Sequence, residues 1–171
     1  MKPSRIAGKR ILAVDDEPDV LETIAEILDE AVVETSQDFE TAAKMLADRN
    51  YDLAILDVMG VDGLTLLDIC VEKGIPAAIF TAHAMNVQTF QKVIEKGAVS
   101  FIPKERMADL HHFASVLIAD IESGKEPWKI LFDELAGYFD QKFGPSWKEA
   151  NKEFWDEFTD MIKDRFSADR R

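Results

Sequence analysis

Basic residues are scarce in this chain of 171 residues: 20 Lys and Arg stand against 33 Asp and Glu, a formal charge of −13. A nucleic-acid binder neutralises phosphates with a cationic surface, so this balance argues against DNA or RNA as a partner. It suits a soluble protein whose partners are neutral or basic. Cysteine is scarcer still, with Cys70 alone. No intrachain disulfide can form and no paired-cysteine metal motif exists, which fits a reducing cytoplasm. No apolar run is long enough to cross a bilayer, so no membrane association is expected. The N-terminal MKPSRIAGKR is polar and basic and lacks the apolar stretch of a secretory signal. Internal repeats and low-complexity tracts are also missing.

Hydrophobic residues make up 47% of the chain, enough for one full core and a small appendage. The first two-thirds alternates short apolar runs with helical patterns. The runs ILAV (11–14), VV with its neighbours (32–35), LAIL (53–56), AAIF (77–80) and VSFI (99–102) are too short for helices. Asp, Gly, Pro or Asn bounds each, so they read as strands. The first, third and fourth carry no polar alternation, as central parallel strands buried on both faces should. The second is poorer in apolar residues and belongs towards an edge.

Apolar stripes at helical spacing lie between the runs. They comprise Val20, Leu21, Ile24, Ile27 and Leu28; Ala42, Met45 and Leu46; Leu64, Leu67 and Val71; and Val87, Phe90 and Ile94. A fifth runs from about Met107 through Leu110, Ala114 and Leu117 to Ile121. Pro18 falls near a helix start, and Gly74 and Gly97 fall where C-terminal caps belong. Five successive βα units with right-handed crossovers give a parallel sheet covered by helices on both faces.

Composition shifts at Ser123-Gly124-Lys125, which divides the chain into a domain over 1–124 and an extension over 125–171. The extension holds all three tryptophans and six of the eleven phenylalanines. Trp128, Leu131, Phe132, Leu135, Tyr138 and Phe139 share one helical face, Gly144-Pro145 breaks the pattern, and Ser146 to Glu149 reads as a capping box. Trp147, Phe154, Trp155, Phe158, Ile162 and Phe166 then share a second face. This predicts an α-helical hairpin.

Polar residues gather where the apolar runs stop. Asp15 and Asp16 end the first, Asp57 the third, Thr81 the fourth, and Lys104 follows the fifth. In an open parallel sheet these ends form one edge, where ligands bind near the point of strand-order reversal. Three carboxylates brought together need a cation, and hard oxygens suit Mg2+. An Asp carboxylate can attack a phosphoryl group to give an acyl phosphate. A metal would neutralise the transferring group, Lys104 would pair with its oxygens, and Thr81 would donate a hydroxyl.

At these residues the sequence resembles the receiver domain of two-component response regulators. The matching segments are LAVDDEP (12–18), LAILDVMGVDG (53–63), FTA (80–82) and FIPKE (101–105). The resemblance covers about residues 8–122 and implies a flavodoxin-like, doubly wound sheet of order 2-1-3-4-5. It also implies that Asp57 is the phosphoacceptor for a sensor histidine kinase. By the same resemblance Asp16 and Asp57 are direct metal ligands, Asp15 acts through water, and Met59 gives a backbone carbonyl. Thr81 and Lys104 match the switch hydroxyl and the phosphate-pairing lysine, and Phe101 the aromatic switch. Gly60 stands where the family usually has proline, and Lys104 is preceded by Pro103 and followed by Glu105.

Each residue also has a plain reading. An Asp pair before a helix is usually an N-cap, Thr81 a strand-end hydroxyl, and Lys104 a solvated cation. Asp62-Gly63 reads as a turn and cap, Cys70 as a core thiol, and His83, His111 and His112 as local. Agreement among five strand ends favours the phosphoacceptor. A phosphatase of similar fold needs a second Asp two residues after the nucleophile, where Met59 stands. A receiver that never takes phosphate and serves as a scaffold is the remaining alternative. No enzyme is expected beyond self-phosphorylation from small phosphodonors and autodephosphorylation. The extension has a net charge of −2, against −11 for residues before it, so it lacks the basic recognition helix of a DNA-binding output. Its aromatic surface must be covered. A homodimer through the C-terminal helices is the first expectation, folding back on the receiver the second, and an unknown protein partner remains open.

Overall fold

The computed structural model describes residues 4–82 and 87–125, together with isolated positions between 140 and 160. Five strands alternate with five helices: β1 (Arg10–Val14), α1 (Pro18–Ile27), β2 (Val32–Ser36), α2 (Phe39–Asp48), β3 (Leu53–Leu56), α3 (Gly63–Lys73), β4 (Ala77–Thr81), α4 (Val87–Glu95), β5 (Ser100–Pro103) and α5 (Leu110–Glu122). All neighbouring strands pair in parallel, in the order β2-β1-β3-β4-β5. This is the flavodoxin-like topology expected. Strands β3 and β4 are buried at every position, whereas β2 lies at one edge with Val32 exposed. α1 packs against α5 and α2 against α3, so the helices divide between the two faces of the sheet.

Local chemistry sets the helix ends. Pro18 occupies the first turn of α1, where its missing N–H leaves nothing unpaired. Asp38 caps α2 by accepting the Thr41 N–H at 2.7 Å. Gly74 closes α3 at φ +73, donating its N–H to the carbonyls of Cys70 and Val71. Lys73 then crosses to α2 and donates its ammonium to the carbonyls of Leu46, Ala47 and Arg49. Those are among the acceptors a helix C-terminus leaves over, and a cation is favoured there.

Two expectations change. The buried stripe of α3 is Gly63, Leu66, Leu67 and Cys70, and Val71 is 41% exposed. A step of 100° per residue turns Val71 away once Leu66 and Cys70 face the sheet together. The fifth helical pattern does not start at Met107. Lys104–Asp109 forms a 3-10 turn with a break at Arg106 (φ −101, ψ 26), and α5 begins at Leu110. Arg106 pairs with Asp109 at 2.8 Å and lies over the Phe113 ring, which holds the turn against the helix. In the C-terminal extension, positions 140–141, 149, 152–153, 156–157 and 160 are helical and Ser146 is in a turn. The aromatic faces of the expected hairpin lie outside the described residues.

At the β2 edge, Glu34 accepts hydrogen bonds from Arg49 (2.6 and 2.8 Å), Arg10 (3.0 Å) and Tyr51 (3.1 Å). Burial opposes its charge, but these donors outweigh burial and hold its carboxyl below the ordinary value. The folded form therefore binds the Glu34 proton more weakly than the unfolded chain does. The stability this adds is complete above the unfolded value and is lost as pH falls through the folded one. We expect Glu34→Gln to lower the melting temperature by a few degrees at neutral pH. Thermal melts at descending pH should show that gap closing once the wild-type carboxylate is protonated.

Candidate functional site

The strand register builds the site. Val14 of β1 pairs with Leu56 of β3, so the next residue on each strand, Asp15 and Asp57, emerges side by side at the carboxyl edge. Their backbones stay anchored: Asp57 N–H donates to Val14 O at 3.0 Å, and Asp15 N–H to Ser36 O at 3.1 Å. This is the point where strand order reverses, the expected place for a ligand. Thr81 closes β4 and pairs with Pro103, which delivers Lys104 to the same edge.

Lys104 joins the two strands. Its ammonium lies 2.6 Å from Asp15 Oδ2 as an ion pair and donates a hydrogen bond to Asp57 Oδ2 at 3.1 Å. Burial works against charge on Lys104, but the two carboxylates more than offset it and raise its pKa. Burial pushes the Asp15 carboxyl up, against the pull of Lys104 and of the Glu17 N–H, which Asp15 Oδ1 accepts at 2.9 Å. Asp57 is only 3% exposed, and its Oδ1 is buried with no hydrogen-bond partner among the described residues. Among the same residues Asp15 Oδ2 likewise lacks a partner of hydrogen-bond geometry and relies on the Lys104 charge. Buried carboxylate oxygens left in this way are costly unless a cation or donor meets them.

Asp16 is exposed, and its carboxylate lies with those of Asp15 and Glu17 within 4.8 Å of one another. Glu17 was not singled out from the sequence, although it follows the Asp pair directly. The donor set is all hard oxygen, and the orphaned Asp57 Oδ1 stands at the same edge, so these residues fit a magnesium ion. Phe101 is buried and meets the Phe90 ring of α4 edge-on, with centroids 5.6 Å apart at 89°. Met59 is 54% exposed. His83 lies outside the described residues.

Two glycines carry geometry that sequence reading did not reveal. Gly60 adopts φ +82, closed to proline, and a Cβ there would lie 2.4 Å from Asp16 Oδ2. Gly63 starts α3 against β3, where a Cβ would lie 1.8 Å from the Asp57 carbonyl oxygen. Asp62 before it takes φ +51 and caps α3, with its side chain accepting the Thr65 N–H. The expected turn and cap are therefore present, and they also bring α3 close behind Asp57.

A sheet of this order with an acidic carboxyl edge and one bridging lysine defines a receiver-type α/β protein. The model of the response regulator receiver domain matches residues 11–114, and the chain belongs to this family of two-component signalling domains. Such domains are signalling units rather than enzymes. The nitrogen assimilation regulatory protein NtrX of Azorhizobium caulinodans is 36% identical over 107 residues, covering 58% of this chain and 23% of that protein. The two-component response regulator ARR18 of Arabidopsis thaliana is 33% identical over 103 residues, covering 57% of this chain. This chain spans only 23% and 16% of the length of these two relatives. Among solved structures, a receiver domain protein from Methanospirillum hungatei aligns with a TM-score of 0.62 at 21% identity, over 68% of this chain and 98% of that one. A Burkholderia pseudomallei response regulator with a phosphorylated aspartic acid and a calcium ion aligns with a TM-score of 0.52 at 20% identity, over 56% of this chain and 59% of that one. No helix among the described residues is long and apolar enough to cross a membrane.

Proposed function

We propose that Asp57 accepts a phosphoryl group from the phosphohistidine of a sensor histidine kinase. The carrying observation is the Asp57 carboxylate itself: buried at a strand end, with Oδ2 on Lys104 and Oδ1 unpartnered among the described residues. A carboxylate oxygen of Asp57 attacks phosphorus, and the P–N bond to the donor imidazole breaks. Its electron pair stays on that nitrogen, and the product is an acyl phosphate. Lys104 then pairs with a phosphoryl oxygen, and the Thr81 hydroxyl donates to another. Asp15, Asp16 and Asp57, with the Met59 carbonyl, would hold Mg2+. When bound, it neutralises charge on the transferring oxygens. Phe101 acts as the switch that follows Thr81.

In this reading residues 1–124 are the receiver and 125–171 the output extension, working in the cytoplasm. Output runs through protein contact or dimerisation, which the acidic charge balance favours over DNA binding.

The experiment is incubation with acetyl phosphate and Mg2+, followed by intact mass. Wild type should gain one phosphoryl group, and chelation of the metal should prevent the gain. Asp57→Ala should gain none. An Asp57→Ala protein that takes up phosphate as readily as wild type sinks the assignment.

A further inference from the structure

Asp16 sits at the acidic edge with little to hold it there. It is exposed, and among the described residues no hydrogen bond or ion pair fixes its side chain. Its carboxylate nevertheless stays within 4.8 Å of those of Asp15 and Glu17. Like charges repel, so an exposed carboxylate in such company turns out to solvent unless shape or a cation keeps it in place.

Gly60 supplies the shape. A Cβ at this position would lie 2.4 Å from Asp16 Oδ2, 2.6 Å from Cγ and 2.9 Å from Oδ1. All three distances fall well inside the roughly 3.5 Å at which nonbonded heavy atoms rest. The Asp16 carboxylate therefore occupies the space where any side chain at 60 would begin. That space belongs to the loop between β3 and α3, which starts at Asp57 and passes through Met59. The contact thus ties the Asp16 side chain to the strand end that carries Asp57. Gly8 gives an internal contrast: its φ of +72 is close to the +82 of Gly60, but a Cβ there meets nothing within 4 Å. The two glycines share a backbone demand and differ in what fills the space beside them.

We propose that Gly60 is a positioning residue for magnesium: by lacking a Cβ it seats the Asp16 carboxylate against the β3–α3 loop, in the place from which Asp16 takes the ion. The inference rests on the reading of Asp16 as a metal ligand. It makes glycine necessary at 60 for room as well as for backbone freedom, and it lets the loop set the metal affinity of a residue on another strand.

The test titrates Mg2+ into the full-length protein without a phosphodonor and reads affinity by calorimetry. Gly60→Ala should weaken Mg2+ binding about tenfold or more, the loss typical when a group that orients a metal ligand is removed. Gly8→Ala should bind Mg2+ as wild type does, although both variants force alanine into left-handed backbone and should melt lower. Asp16→Ala should weaken binding by itself, and adding Gly60→Ala to it should change the affinity no further. If Gly60→Ala fails to fold, Gly60→Asn replaces it, since asparagine tolerates left-handed backbone and still fills the seat. Wild-type affinity in the Gly60 variant, with Asp16→Ala weakened, overturns the seat and leaves Asp16 a ligand. A further loss when Gly60→Ala is added to Asp16→Ala also overturns it, because Gly60 would then act through the loop rather than through Asp16. Wild-type affinity in Asp16→Ala removes the ligand reading, and this inference with it.

Discussion

Gly63→Ala is expected to lower the melting temperature by about 10 °C, roughly 3 kcal/mol for a protein of this size. The added Cβ would stand 1.8 Å from the Asp57 carbonyl oxygen and 2.7 Å from its carbonyl carbon. Both are backbone atoms at the end of a buried strand, so no side chain can rotate to make room. Relief requires α3 to withdraw or β3 to shift, and a shift of β3 moves Asp57 away from Lys104. The variant should therefore lose stability and phosphoryl uptake together. Thermal melting and intact mass after acetyl phosphate treatment read the two effects. A variant that melts like wild type shows that α3 does not approach the strand as closely as described.

Lys104→Met is expected to cost roughly 3–5 kcal/mol in metal-free buffer, because one change strips the counter-ion from two buried carboxylates. Lys104 Nζ lies 2.6 Å from Asp15 Oδ2 and 3.1 Å from Asp57 Oδ2, and both side chains are almost wholly buried. Its raised pKa means the folded form holds the proton more tightly than the unfolded chain. That stabilisation is complete below the unfolded value and fades only as pH climbs through the folded one. At neutral pH the full penalty should appear on mutation. Added Mg2+ should then stabilise the variant more than the wild type, since it becomes the only cation the acidic edge receives. Melts with and without Mg2+ check both parts. Equal gains in the two proteins would show that lysine and metal do not share the same charge.

Much of the fold was legible because buried parallel strands announce themselves. ILAV, LAIL and AAIF have no polar interruption, and all three became central strands. The site was legible for a related reason: its residues stand where apolar runs end, and parallel strands bring those ends together. What escaped depends on distances across space. Nothing in the local sequence says that Gly63 touches the Asp57 carbonyl, that Lys104 spans both carboxylates, or that Gly60 yields to Asp16. The α3 stripe was misplaced by one residue at Val71 because an apolar helix with few polar positions offers two nearly equal faces. The start of α5 was misplaced because Met107 continues the apolar rhythm through a 3-10 turn whose break at Arg106 is a backbone event. The aromatic extension carries a strong helical rhythm, but rhythm alone does not say against what it packs.

The strand order also governs how the protein matures at the ribosome. Apart from β2, which joins the other flank of β1, the sheet grows outward in the order of synthesis, from β1 through β3 and β4 to β5. Domains generally fold as units as the chain emerges. The charge of this edge is therefore balanced only once Lys104, which follows β5, has been added. A chain ending before residue 104 carries Asp15 and Asp57 without the ammonium that meets both, and an ion from solution would have to stand in for it.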